Sequence, residues 1–227
     1  MPVTDRGPDV IVGICFHGIG TPSAGLDPAA HEYFVSEELF LAVLDESARA
    51  PGVQFSFDDG YASDVEVALP ALADRGLAAT FFPLAGKLGR PGYLDEGGVR
   101  ALSAAGMTVG SHGMHHRSWR GLDAESEHEE LAVARSVIGA AAQAPVTAAA
   151  CPFGSYDRRA LGTLRRHGYA QVFTSDRLRA RAGAWLQPRY SIKCDDTVEA
   201  VREHILAPRP VAERVRRGAA VRVKALR

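Results

Sequence analysis

The sequence predicts an α/β fold whose parallel strands close in the manner of a barrel, and three observations carry that expectation. Apolar runs of strand length alternate with segments of helical period. The runs are apolar on both faces, as strands covered on two sides must be. Each intervening segment opens on a recognisable helix-start residue. About seven such units favour closure into a barrel, with a doubly wound sheet as the alternative. The 227 residues, 46% of them hydrophobic, suit one domain over 1–227 with its own core.

In chain order, strands are expected at VIVGICF (10–16), VQFSF (53–57), AATFFPL (78–84), MTVGS (107–111), TAAAC (147–151), AQVFT (170–174) and WLQPRYSI (185–192). Between them, Ser36 precedes the helical spacing of Leu39, Phe40, Val43 and Leu44, and Ser63 with Glu66 has the form of a capping box. Asp95 stands before Val99 and Leu102, and Asp123 opens a long helix carrying Leu131, Ala134, Val137 and Ile138. Asp157 precedes Leu161 and Leu164, with Gly168 as the stop. In either architecture the residues after each apolar run gather on one rim, where ligands bind.

Charge narrows the function classes. The formal net charge is -1, so no global field favours nucleic acid or an anionic membrane. The end of the chain, RVRRGAAVRVKALR, concentrates Arg214, Arg216, Arg217, Arg222, Lys224 and Arg227 and reads as a solvated helical or basic extension from about residue 208. No apolar stretch has membrane-spanning length and no secretory leader is seen, so a cytoplasmic address is expected. Cys15, Cys151 and Cys194 are widely spaced without a C-x-x-C pair. Cys15 and Cys151 read as small buried hydrophobes.

The chemistry-bearing residues fall at strand ends. FSFDDG (55–60) closes an apolar run with two adjacent carboxylates, Asp58 and Asp59. Like charges side by side are poor strand design, yet at a strand's end both can converge on a cation. The segment GSHGMHHRSW places His112 and His116 four residues apart, a spacing that lets both imidazoles meet one point. His17 leaves the first strand in ICFHG. One carboxylate and two histidines leave a divalent ion with open coordination positions, as a catalytic site requires. A second carboxylate beside them could take a proton from an acidified water. His115 is read as facing solvent, His128 as part of an acidic helix start, and His167 as a helix-end residue in a favourable dipole contact.

FSFDDG, GSHGMHH and CPFGSYD, in this order and spacing, resemble the polysaccharide deacetylase (NodB-homology) family of carbohydrate esterases, from about Asp9 to about Ile192. The resemblance implies a distorted (β/α) barrel and a metal-dependent hydrolase that removes an N-acetyl group from an amino sugar or sugar-containing substrate. It implies that Asp58 is the general base, and that Asp59, His112 and His116 hold one divalent ion, zinc in the first place with cobalt or nickel as alternatives. Pro152 and Phe153, with Gly154 and Tyr156 in the same loop, would line the substrate groove and lend a backbone N–H to the oxyanion.

Three departures stand out. Ala150 occupies the place of the family's third-motif arginine. Arg189, in QPRYS, is the residue that could replace it or contact substrate, with a merely exposed arginine as the equal alternative. Arg117 stands where proline is common. The C-terminal Leu-x-His motif that supplies the family's general acid is absent after residue 180, and His204 in VREHIL does not fit it. ICFHG looks like that motif moved to the chain start by circular permutation, which assigns the acid to His17. Rival readings are a hydrolase of another non-peptide C–N bond, a ferrous oxygenase with the same two-histidine, one-carboxylate set, and a catalytically silent carbohydrate-binding barrel. Serine-elbow, phosphate-loop and dinucleotide glycine patterns are absent.

Overall fold

The apolar runs form the strands β1 (Val10–Phe16), β4 (Val53–Asp59), β5 (Ala79–Pro83), β6 (Thr108–Val109), β7 (Ala148–Ala150), β8 (Gln171–Thr174) and β10 (Leu186–Ser191). In this computed structural model the described residues are 9–47, 50–207, 218, 219, 221 and 223–226. Most of the extension expected from about residue 208 lies outside them, as do Arg214, Arg216, Arg217, Arg222 and Arg227. The seven strands pair in parallel in the order β6-β5-β4-β1-β10-β8-β7. A parallel bridge between Ser111 and Ala149 joins the two ends of this path and nearly closes the barrel.

Short pieces escaped the sequence reading. β2 (Gly18–Ile19) pairs with β3 (Phe34–Val35), and β9 (Ala180–Arg181) runs antiparallel to β1. Two residues are too few for a period to register. β4 also runs two residues further than its apolar stretch, so Asp58 and Asp59 remain in the ladder opposite Phe82 and Pro83.

The helices are α1 (Glu37–Ser47), α2 (Leu69–Ala73), α3 (Glu96–Ala104), α4 (Ala124–His128), α5 (Ala134–Ala142), α6 (Arg158–Arg166) and α7 (Val198–Val201). Four expected starts are capped by side-chain oxygens. Ser36 accepts from Leu39 N at 3.1 Å, Asp95 from Gly98 N at 2.7 Å, Asp123 from Ser126 N at 2.8 Å and Asp157 from Ala160 N at 2.8 Å. The capping box expected at Ser63 and Glu66 is not formed. Ser63 has helical backbone angles, and its hydroxyl instead accepts from Ile19 N at 3.1 Å, tying β2 to the segment after β4.

Apolar side chains separate into two sets. The larger lies between strands and helices, where Phe57 stacks on Phe81 with centroids 4.6 Å apart and Phe16 meets Phe40 edge-on at 5.1 Å. The smaller, Phe82, Ala148, Ala150 and Phe173, surrounds a buried guanidinium: Arg189 Cζ lies 5.4 Å from the Phe82 ring and 5.5 Å from that of Phe173. Gly13 on β1 pairs with Arg189, and a Cβ there would come within 2.9 Å of Arg189 Cγ, so glycine leaves the room this side chain needs. Among the described residues, no helix is long and apolar enough to cross a membrane.

Candidate metal centre and its surroundings

The C-terminal ends of β1, β4 and β7, with the loop after β6, bring most of the singled-out residues to one rim. Successive residues of β4 point oppositely, which separates its two acids. Ser56 and Asp58 turn toward Arg189, while Asp59 turns toward the histidines.

Asp59 Oδ1 lies 3.5 Å from Nε2 of both His112 and His116. The three offer ligand atoms all within 4.8 Å of one another. Asp59 Oδ1 is buried without a hydrogen-bond partner, a costly state that a cation would relieve. His112 Nδ1 lies 2.9 Å from the Ala150 carbonyl, which can only accept, so Nδ1 carries the proton and Nε2 keeps its lone pair toward Asp59. Burial pulls His112 and His116 down to about 4, which keeps both imidazoles neutral at neutral pH. The donor set therefore fits a divalent metal of zinc type. Asp59 and His116 both have left-handed backbone angles, φ 74° and 57°, unusual for such residues and held here by the surrounding ladder and loop.

The loop bearing the histidines is held from below by a residue the sequence reading passed over. Glu130 is fully buried and accepts from Met114 N at 2.8 Å and His115 N at 3.0 Å. It lies in a widened π turn, Glu129–Val133, that joins α4 to α5 within the long helix expected from Asp123. The available signal is the pair Glu129 and Glu130 within what the sequence presents as an acidic helix start. Gly113, at φ 89°, passes so close that a Cβ would meet Glu130 Oε2 at 2.2 Å. His115 itself is exposed and engages Glu129 Oε1 at 2.9 Å, consistent with its solvent-facing assignment.

Asp58 is almost wholly buried, with Nε2 of His112 3.9 Å away. Arg189 donates from Nη1 to Oδ1 and from Nη2 to Oδ2, each at 2.7 Å, and from Nη1 to Ser56 Oγ at 2.9 Å. Burial alone would raise the Asp58 pKa. The Arg189 guanidinium and, less strongly, His112 outweigh it and hold the carboxyl well below the usual range. Arg189 is only 1% exposed, so the readings of it as an exposed arginine or a substrate contact are corrected: both Nη groups are committed to Ser56 and Asp58 of β4, and Nε lies 3.5 Å from the Thr174 carbonyl.

His17 stands beside Asp58, with Cys15, His17 and Asp58 offering polar atoms within 4.8 Å of one another. Its ring lies 4.6 Å from that of Tyr33, and Nδ1 is buried without a partner. Cys15 and Cys151 are buried, as expected, and burial pushes both thiols far up, out of reach of thiolate chemistry. Asp64, after β4, was not singled out. It is fully buried with both oxygens unpartnered, and burial followed by Asp59 and Asp58 raises its pKa well above the ordinary value.

In the third-motif loop, Phe153 is 69% exposed and its ring lies 4.3 Å from that of His116, whereas Pro152, Gly154 and Tyr156 are buried. Of the loop residues expected to line the groove, Phe153 alone presents its side chain openly beside the histidines.

A family model described as polysaccharide deacetylase matches residues 45–172. The chain is 24% identical over 140 residues to YxkH of Bacillus subtilis (strain 168), a relative named provisionally as a polysaccharide deacetylase; the match covers 62% of this chain and 50% of the relative. The chain therefore spans about half the length of that curated relative. Among solved structures it resembles the Streptococcus pyogenes deacetylase PplD in complex with acetate, with TM-score 0.75 and 19% identity over 88% of this chain and 100% of that one. IcaB from Ammonifex degensii gives TM-score 0.70 and 23% identity over 88% and 99%. At these identities the structural likenesses speak for the barrel.

Proposed function

Because the chain belongs to the polysaccharide deacetylase family, we propose that it hydrolyses the N-acetyl group of an amino sugar or sugar-containing substrate, with one divalent ion held by Asp59, His112 and His116. The observation that carries this reading is the meeting of two differently treated carboxylates: Asp59 unpartnered toward two neutral imidazoles, Asp58 gripped by Arg189 beside them. Two adjacent acids thereby acquire different tasks. A bound divalent ion, zinc foremost with cobalt or nickel as alternatives, supplies Lewis acidity toward the acyl oxygen and acidifies water.

Asp58 takes a proton from the attacking water at its carboxylate. Because Arg189 keeps it ionised and fixed in orientation, its contribution is position more than basicity. Arg189 acts as a positioning residue, in place of the arginine expected at position 150. His17, close to Asp58, donates a proton to the departing sugar nitrogen, leaving the free amine and acetate. The exposed ring of Phe153 offers an apolar face for the sugar next to His116.

Acetate release from soluble N-acetylated amino sugars and from N-acetylated polymers, by protein loaded in turn with zinc, cobalt and nickel, tests the reading. Release that is lost in Asp58→Asn, with the alkaline limb of the pH profile lost in His17→Ala, is expected. No acetate from any of these substrates at full metal loading would overturn it.

A further inference from the structure

Beyond Phe153 the same loop forms a cage that the hydrolytic reading does not use. Lys224, near the chain's end, donates from Nζ to the Gly154 carbonyl at 2.6 Å and to Asp176 Oδ1 at 2.7 Å, and its ammonium sits 4.3 Å from the centre of the Tyr156 ring. A carbonyl, a carboxylate and an aromatic face are the three kinds of group that satisfy a primary ammonium.

The walls of this cage are built independently of its occupant. Asp176 Oδ2 already accepts from Tyr156 Oη at 2.8 Å and Thr174 Oγ1 at 2.7 Å, which orients Oδ1 outward for a further donor. With Lys224 seated, the Asp176 side chain is only 6% exposed, so this ion pair is shielded from water. The superficially similar Lys193–Glu32 pair differs on this point, since its carboxylate is 50% exposed. Tyr156, Thr174 and Asp176 belong to the barrel's rim, whereas Lys224 arrives from a distant terminal segment with its own side chain 36% exposed.

We propose that Asp176, the Gly154 carbonyl and the Tyr156 ring form a binding site for a protonated primary amine of a sugar, the amino group of a unit already freed of its acetyl, and that Lys224 fills this site when no sugar is bound. This rests on the amino-sugar reading above, because hydrolysis of an N-acetyl group creates that amine. The cage begins one residue after Phe153, whose ring touches that of His116, so an amine on a unit neighbouring the reacting one is the group within reach. Lys224 acts as a tethered competitor. The site then makes the protein prefer partly deacetylated sugar chains over fully acetylated ones.

The test is equilibrium binding of D-glucosamine, N-acetylglucosamine and glucose to the metal-loaded full chain, followed by NMR titration. Removing the tethered competitor should tighten glucosamine binding about tenfold in Lys224→Ala, with no change for the other two sugars. Asp176→Asn added to Lys224→Ala should abolish the gain. Lys224→Met, which keeps the stem but not the charge, serves as the second variant should the alanine chain fail to fold. Equal glucosamine affinity in the native and Lys224 variants, or an equal gain for N-acetylglucosamine, overturns the proposal. Acetate release is measured on the same preparations. Amine selectivity without acetate release upholds the site and removes the deacetylase reading, whereas acetate release without amine selectivity removes the site alone.

Discussion

Arg189 on β10 and Asp58 on β4 are joined over the intervening strand β1 by two parallel hydrogen bonds of 2.7 Å, with both residues almost wholly buried. Such a fork is strong because both donors and both acceptors are charged and coplanar. It is also unforgiving, since either partner alone would be an uncompensated charge in an apolar interior.

Arg189→Met should therefore cost about 3–5 kcal/mol of stability, because the Asp58 carboxylate stays behind unpaired. Arg189→Lys keeps the charge but cannot reproduce the two-pronged grip, so stability should fall less while kcat/KM still falls by roughly one to two orders of magnitude. Urea unfolding beside steady-state kinetics checks both. A lysine variant with native kcat/KM would mean that orientation of Asp58 is unimportant.

The unpartnered Asp59 Oδ1 between two neutral imidazoles leads to a metal-content prediction. Purified protein should carry or take up about one divalent ion per chain, as expected for a single closely spaced donor set. Asp59→Ala and His112→Ala should lose it, and stripping the ion with a chelator should lower the thermal midpoint, since ligand bound to the native state stabilises it by mass action. Mass spectrometry of the native and variant proteins reads the first part. Undiminished metal in both variants would place the ion elsewhere.

Acid should destabilise the metal-free protein well above the range where carboxylates titrate. His112 and His116 are pulled down from 6.5 to about 4 by burial, so between those values the unfolded chain binds protons that the folded chain refuses. Their contribution is complete above about pH 6.5 and is lost as pH falls toward 4. Asp58, with its lowered pKa, adds a further loss only as pH falls below its ordinary 3.8. Asp64 opposes this trend. Its raised pKa keeps it protonated in the fold, a stabilisation present at low pH and lost as pH rises through its folded value. With two groups lowered and one raised, stability should fall on balance between pH 6.5 and 4. Asp64→Asn, which mimics the neutral acid, should steepen that loss and stabilise the chain at neutral pH. Denaturant unfolding of apo protein across this range decides it, and a flat profile in both chains would contradict the assignment.

What the sequence disclosed, and what it hid, follows from how local each feature is. The seven principal strands and the caps at Ser36, Asp95, Asp123 and Asp157 depend on residues within a turn or two, and all were legible. The rim position of Asp58, Asp59, His112, His116 and His17 followed from the alternation of strands and helices, because parallel strands put all their C-terminal ends together. The role of Ser63 was misread because its partner, Ile19 N, is 44 residues away and belongs to a strand too short to detect. Arg189 could be named as a substitute for the arginine missing at Ala150, yet its burial depended on Gly13 of β1 lying beneath its side chain, a relationship no local pattern encodes. Glu130 was missed for the same reason: in the chain it is one acid among several, and its purpose appears only when the histidine loop folds down onto it.

That last contact yields the final prediction. Glu130 holds the backbone N–H groups of Met114 and His115, the two residues directly before His116, and so sets the path by which the loop returns His116 to the Asp59 carboxylate. Glu130→Ala leaves two donors without their acceptor and should cost about 1–3 kcal/mol of stability. The more telling variant is Glu130→Gln, which can still accept one N–H but places an amide NH₂ against the other. If the buried carboxylate supports the metal-binding geometry, Glu130→Gln should weaken zinc binding by about 10- to 100-fold, the range for groups that orient ligands without touching the ion. Competition against a chelating dye gives the affinity directly and separates it from any loss of fold, which circular dichroism reads on the same sample. Native zinc affinity in a folded Glu130→Gln chain would reduce Glu130 to a packing role and leave Asp59 and the two histidines to set the geometry by themselves.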